Sequence, residues 1–267
     1  MGDVTRLAGW HLLTDAQRAA SQRMLTDEAA KRRHLVVSLS GAHAYGFPSP
    51  DSDVDLKAIH VAPTATLVGL QRVASSASRM EWIDGIEMDY SSNEIGAALG
   101  GVLKGNGNYL ERVLGQAPME TSPWLEGLQP IARRAFSRRV HHHYHGFAMS
   151  QFKEFETTPT VKKLLYVLRT SLTGTHLLRT GLLVVDVTEL LDEYGYSAVR
   201  DLVTAKRRGE NVLLDEASRM HWHQSVSRAF TMLDDARDAS ILPEEPPNVS
   251  EIESWLLDVR RALFEAG

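Results

Sequence analysis

The sequence predicts an α+β fold, a small mixed β-sheet core flanked by helices and followed by a C-terminal helical bundle. Three observations carry this. Short β-branched and apolar runs crowd into residues 34–91. An Asp84-Gly85 pair, the strongest short hairpin-turn signal, sits between two of them. After Asn93 the apolar residues recur with the 3.6-residue period of helices up to Phe264.

In chain order, Thr14 to Arg33 has helical periodicity, with Thr14 or Asp15 as N-cap. His34 to Ser40 is a buried strand ended by Gly41, and Gly41 to Ser52, rich in Gly, Pro, Ser and Asp, is a loop. Asp53 to Val61 alternates polar and apolar residues, slipping only at Ala58-Ile59, and reads as a second strand. Ser78–Ile83 and Ile86–Ser91 form the hairpin. Helical segments follow at Asn93–Lys104, Asn108–Leu114, Pro130–Phe155, Val161–Thr180, Asp186–Arg208, Asp215–Asp238 and Val249–Phe264, with Pro243 to Pro247 as a linker before the last. The chain is expected to divide into a strand-rich unit over 1–120 and a helical unit over 121–267.

Composition narrows the chemistry. At 267 residues, 43% hydrophobic and 24% charged, the chain suits one large domain or two small ones with a proper core. A net charge of −5 argues against a general nucleic-acid coat protein. The absence of cysteine excludes disulfides, zinc–thiolate sites and thiol catalysis. No apolar run reaches the ~20 residues needed to cross a bilayer, and no basic start precedes an apolar stretch, so a cytoplasmic protein without a membrane partner is expected.

The candidate site is a set of carboxylates. Asp53 and Asp55 lie at i and i+2 of one strand and point to the same face. In a poorly solvated site they repel by roughly a few kcal/mol unless a cation lies between them. Ser40-Gly-Ala-His-Ala-Tyr-Gly46 leaves the preceding strand through two glycines, which lets backbone N–H groups approach a phosphate. Asp89, beyond the hairpin turn, is placed on a neighbouring strand. Three carboxylates beside a glycine turn suit hard divalent ions. The plainer alternative is a solvated sheet face with turn-forming glycines.

Ser40-Gly41 followed by Ser52-Asp53-Val-Asp55-Leu resembles the glycine-plus-double-aspartate signature of the DNA polymerase β-like nucleotidyltransferase superfamily. The longer stretch from Ser40 to Leu56 is similar to a bacterial branch of predicted nucleotidyltransferases. Lys162 to Arg169 and His176 to Gly181 are similar to that branch's helical half. The resemblance implies two Mg2+ ions, with Mn2+ as a substitute, held by Asp53, Asp55 and Asp89, the last also serving as base. It implies nucleotide contacts from Ser40, Gly41, Ser52, Lys162 and Arg169, and transfer of a nucleoside monophosphate from a triphosphate such as ATP to an acceptor hydroxyl. Many relatives carry Ser or Gly after the glycine. This chain has Ala42, which removes one hydroxyl contact. The acceptor is expected to be a small molecule or a protein side chain, with RNA next because no basic stripe is evident. A non-catalytic nucleotide-binding module is the alternative from another class.

Lys162, Tyr166 and Arg169, at i, i+4 and i+7, share a helix face that could close on a triphosphate or be an exposed polar side. His141 to His145 reads as a hydrogen-bonded cluster rather than a metal site. His43 and Tyr45 either touch ligand or pack the loop. Asn108 and Glu111 have capping-box spacing. His221, Trp222 and His223 read as packing residues, and Lys206-Arg-Arg208 as a solvated helix end.

Overall fold

The computed structural model describes residues 7–70, 74–209 and 212–265. A short helix α1 (Ala8–His11) precedes α2 (Asp15–Ala29), which Thr14 opens with a complete capping box closed by Gln17. Then follow β1 (Arg33–Leu39), the helical turn α3 (Gly41–Ala44), β2 (Val54–Val61), α4 (Thr64–Val68), β3 (Ser76–Ile83) and β4 (Ile86–Glu94). The rest comprises α5 (Ile95–Leu103), α6 (Gly107–Leu114), β5 (Pro118–Thr121), α7 (Pro123–Arg134), α8 (Val140–Thr157), α9 (Val161–Thr180), α10 (Val199–Lys206), α11 (Glu216–Asp238) and α12 (Val249–Glu265).

The five strands form one mixed sheet in the order β3-β4-β2-β1-β5. β2 and β4 run parallel, and the other pairings are antiparallel. At the hairpin turn Asp84 and Gly85 both adopt positive φ, 51° and 81°, as a tight primed turn requires. The even positions of β2, Val54, Leu56 and Ala58, join a cluster with Met24 and Leu25 of α2. Its odd positions begin as Asp55 and Lys57, just after Asp53. They turn apolar at Ile59 and Val61, which pack with α5 and α6 in a second cluster. The alternation slips at Ala58-Ile59 because the odd face passes there from an open cleft to a helix-covered core. Both clusters draw on residues from either side of position 120.

Several expected elements shift. The loop after β1 contains α3. The span Pro130–Phe155 is two helices: Ser122-Pro123 starts α7 with proline at the first position, and Pro130 lies inside it. Asp186–Arg208 is not one helix. A 3-10 turn at Val187–Glu189 is followed by irregular chain through Gly195, which sits at φ 72°, before α10 begins. Edge strand β5 is only four residues long and buries one apolar side chain, Met119, fully, too weak a pattern to read. Asn106, not Asn108, caps α6 by accepting from the Asn108 amide at 3.0 Å.

Candidate active site

The parallel register of β2 and β4 sets Asp55 directly beside Asp89, and Lys57 beside Ser91. Lys57 lies two residues beyond Asp55 and therefore on its face. Its Nζ is 2.7 Å from Asp89 Oδ2 and 3.2 Å from Asp55 Oδ1, so one ammonium bridges the two strands' carboxylates. Burial pushes the Asp55 carboxyl up to about 6; Lys57 opposes this, while Asp53 and Asp89 add to it.

The chain reaches this face through Ser40, whose amide donates to the Asp55 carbonyl at 2.9 Å. Gly41 follows at φ 63°, and a Cβ on it would stand 2.0 Å from Asp55 Oδ2. Only glycine lets the backbone lie against that carboxylate. Ala42 turns into the core, 3% exposed, so its methyl is a packing group. Gly46, at φ 89°, abuts Asp186 in the same way, and Asp186 Oδ1 caps the 3-10 turn through the Thr188 amide at 2.8 Å.

The two residues flanking the glycine turn lead into a buried polar network. Ser40 Oγ and Tyr45 Oη are 3.1 Å apart, and the Tyr45 hydroxyl donates to Glu111 Oε2 at 3.4 Å. Tyr144 donates to Glu111 Oε1 at 3.2 Å. Arg169 donates to Glu111 and lies 3.6 Å above the Tyr45 ring. Arg169 is 2% exposed and pairs with Glu111, which ties it to the loop that carries Tyr45. Glu111 is available for this because Asn106 does the capping.

Ser52, another residue expected at the nucleotide, also faces inward. Its Oγ accepts from the Ser49 amide at 3.0 Å and from Lys206 Nζ at 3.3 Å. Lys206 is wholly buried, a correction to the solvated helix end read from sequence. Lys162 is half-buried in the first turn of α9, one turn ahead of Tyr166. Tyr166 packs edge-on to Tyr45 and Phe47. Burial pushes its phenol well above the usual range, and the Tyr45 hydroxyl and the Asp55 and Asp53 carboxylates add to the rise, which places this ring beside the carboxylates.

Next to the aspartates, on the Lys57–Ser91 row, opens a cavity of about 260 Å³. Ser38, Ser40 and Lys57 line its sheet side, and Glu111, Arg112 and Gln116 line the facing wall. Arg112 is held there by the Ala58 carbonyl at 3.2 Å and Asn93 Oδ1 at 2.5 Å.

The donor set suits a hard divalent cation: oxygen-only carboxylates, one with its proton affinity raised by burial and by its anionic neighbours, and a positive charge already drawn between two of them. The side chains are not gathered into a cage. Among the described residues no three His, Cys, Asp or Glu side chains converge as metal ligands. The histidine run likewise forms no such group: His141 Nε2 bonds Asp234 Oδ1 at 2.8 Å. His43 sits in the core beside Gln17, with Nε2 atoms 3.1 Å apart, and His223 packs on Phe152.

Sequence reading passed over Lys57 and the brace role of Glu111, and took Lys206 for a solvated residue. Two had a signal. Lys57 continues the i, i+2 row of Asp53 and Asp55, and Lys206 falls on the Val199, Leu202, Val203 face of its helix, the buried one.

The chain is a member of the DNA polymerase β-like nucleotidyltransferase superfamily. Within that superfamily the chain belongs to the RNA repair pathway DNA polymerase beta family (RlaP), whose model matches residues 17–258. It is 27% identical over 226 residues to an uncharacterized protein of Methanocaldococcus jannaschii, covering 82% of this chain and 91% of that one. A solved nucleotidyltransferase-like protein from Exiguobacterium sibiricum aligns over 91% of this chain and 79% of its own at 12% identity. The TM-score of 0.34 gives that likeness no weight. No helix among the described residues is long and apolar enough to cross a membrane.

Proposed function

We propose that the protein transfers a nucleoside monophosphate from a nucleoside triphosphate to an acceptor hydroxyl, with Mg2+ bound by Asp53, Asp55 and Asp89. The observation that carries this reading is the pairing of Asp55 with Asp89 across parallel strands, with the Gly41 backbone pressed against the first carboxylate.

The bond made joins the acceptor oxygen to the α-phosphorus, the bond broken is that to the β-phosphate bridge, and pyrophosphate leaves. Bound Mg2+ supplies charge neutralisation and a lowered hydroxyl pKa. Asp89, at the open edge of the pair, takes the hydroxyl proton. Ser40 and the Gly41 amide hold the triphosphate beside Asp55, and the Tyr45–Glu111–Arg169 brace fixes that loop, so positioning supplies much of the rate. Lys162 and Tyr166 cover the site from α9.

The family's description supports an RNA end as acceptor ahead of a small molecule or a protein side chain, reversing the order that net charge suggested. The test is incubation with Mg2+ and each labelled triphosphate, alone and with RNA of defined ends, hydroxylated small molecules or cell extract, following pyrophosphate release and label. Release that disappears in Asp53→Ala, Asp55→Ala and Asp89→Ala supports the reading. Nucleotide binding without release across the whole acceptor panel rejects it in favour of a non-catalytic module.

A further inference from the structure

We propose that Lys57 is a resident counter-ion: its ammonium holds the position between Asp55 and Asp89 that a divalent cation takes over, and metal entry drives it into the adjoining cavity. The inference rests on the metal site proposed above and concerns how this chain keeps that site when metal is absent.

The argument starts from alternation. Asp55 and Lys57 occupy one face of β2, Asp53 immediately precedes the strand, and the register adds Asp89 and Ser91 from β4. Three carboxylates in a partly desolvated place repel, and one ammonium 2.7 Å from Asp89 and 3.2 Å from Asp55 offsets much of that repulsion. The side chains of Lys57 and Asp55 keep only 19% and 16% of their surface, so solvent screening is weak where they meet.

A divalent ion bridging the same oxygens competes with the ammonium for them, because the two cations repel each other at such a separation. The ion with twice the charge wins the oxygens and the lysine leaves. Its exit is already open. Lys57 lines the 260 Å³ cavity. There Ser38 and Ser91, its register partners on either side, and Glu111 on the facing wall offer acceptors. A flexible four-carbon stem makes the swing inexpensive in a way that a rigid guanidinium fork would not.

A structural ion pair and a displaceable counter-ion make opposite statements about metal affinity. If Lys57 competes with metal, removing it must tighten metal binding; if it only orders the strands, removal must leave that binding unchanged or weaken it. The experiment is Mn2+ titration of the full-length protein without nucleotide, at about pH 8, followed by electron paramagnetic resonance of the free ion. Wild type, Lys57→Met, Lys57→Arg, Asp55→Asn and Asp89→Asn are compared. Lys57→Met is expected to bind Mn2+ about tenfold tighter than wild type, and Lys57→Arg, whose guanidinium leaves less readily, to bind it more weakly than wild type. Unchanged or weaker binding in Lys57→Met overturns the proposal while leaving the metal site intact, provided both aspartate variants lose Mn2+. If both aspartate variants bind Mn2+ as wild type does, the metal-site reading fails and this inference falls with it. Should Lys57→Met be poorly stable, the same comparison is read as the Mn2+-induced rise in Tm, which must be larger in Lys57→Met than in wild type.

Discussion

The ammonium of Lys206, with no exposed surface, donates to the hydroxyl of Ser49 at 2.7 Å. Ser49 and Ser52 bracket the turn that delivers Asp53, and their hydroxyls lie 3.0 Å apart. A residue 153 positions downstream of Asp53 thus fixes where the first carboxylate emerges. Lys206→Met removes the cation and leaves buried hydroxyls short of a donor, a loss of about 2–4 kcal/mol by urea unfolding. Nucleotidyl transfer should fall further than stability alone explains when both are measured well below Tm. A variant as stable as wild type would mean that the Ser49–Ser52 turn holds its own shape.

Arg169 and Glu111 form a second tie, between α9 and α6, and both are largely removed from solvent, with 3% and 12% of side-chain surface exposed. Removing one partner strands the other charge, so Arg169→Met or Glu111→Gln alone should cost about 3–5 kcal/mol. The double variant should cost less than the sum of the singles by more than ~1 kcal/mol. A double-mutant cycle by chemical denaturation measures this, and strict additivity would show that the two residues act independently.

Gly41→Ala tests the glycine turn. Its φ of 63° costs a residue with a Cβ about 1–2 kcal/mol, and the new methyl group must push Asp55 aside. Stability should therefore fall only modestly while transfer falls at least about a hundredfold, since a 1 Å misplacement of a reacting group can cost that much. Wild-type turnover in a folded Gly41→Ala would reject the close approach as a functional requirement.

What the sequence disclosed and what it concealed divide along the range of the interactions. The strands, the Asp84-Gly85 hairpin and the Asp53/Asp55 face rest on alternation and turn chemistry within a few residues. So does the Thr14 cap. Asp89 could be put on a neighbouring strand, but its register with Asp55 comes from a parallel pairing made in three dimensions. The helix face of Arg169 was legible and its depth was not, because the Glu111 it pairs with is 58 residues away. Lys206 looked solvated because a cation at a helix end usually is, and only the packing of α10 against the Ser49–Ser52 turn reverses that. β5 was missed because a four-residue edge strand carries almost no periodicity.

In the metal-free protein His60 and Asp55 should contribute acid titrations of opposite sign. His60 is buried, with Nδ1 2.7 Å from Ser92 Oγ. Burial lowers it to about 4, partly opposed by Glu94. Its folded pKa lies below its ordinary 6.5, so the stability it permits is complete above pH 6.5 and is lost as pH falls toward 4, about 3 kcal/mol in all. Asp55 runs the other way: its folded value of about 6 exceeds its ordinary 3.8, so the folded state binds the extra proton and gains about 3 kcal/mol as pH falls from 6 toward 3.8. The contributions of these two groups nearly cancel from pH 7 to about 4.5, so each is read from the difference between a variant's profile and that of wild type. On acidification His60→Gln should become more stable relative to wild type, whereas Asp55→Asn should become less stable relative to wild type. Urea unfolding of the three proteins across that range in the presence of a chelator checks it. Parallel profiles for the two variants would show that neither group carries the shift its burial implies.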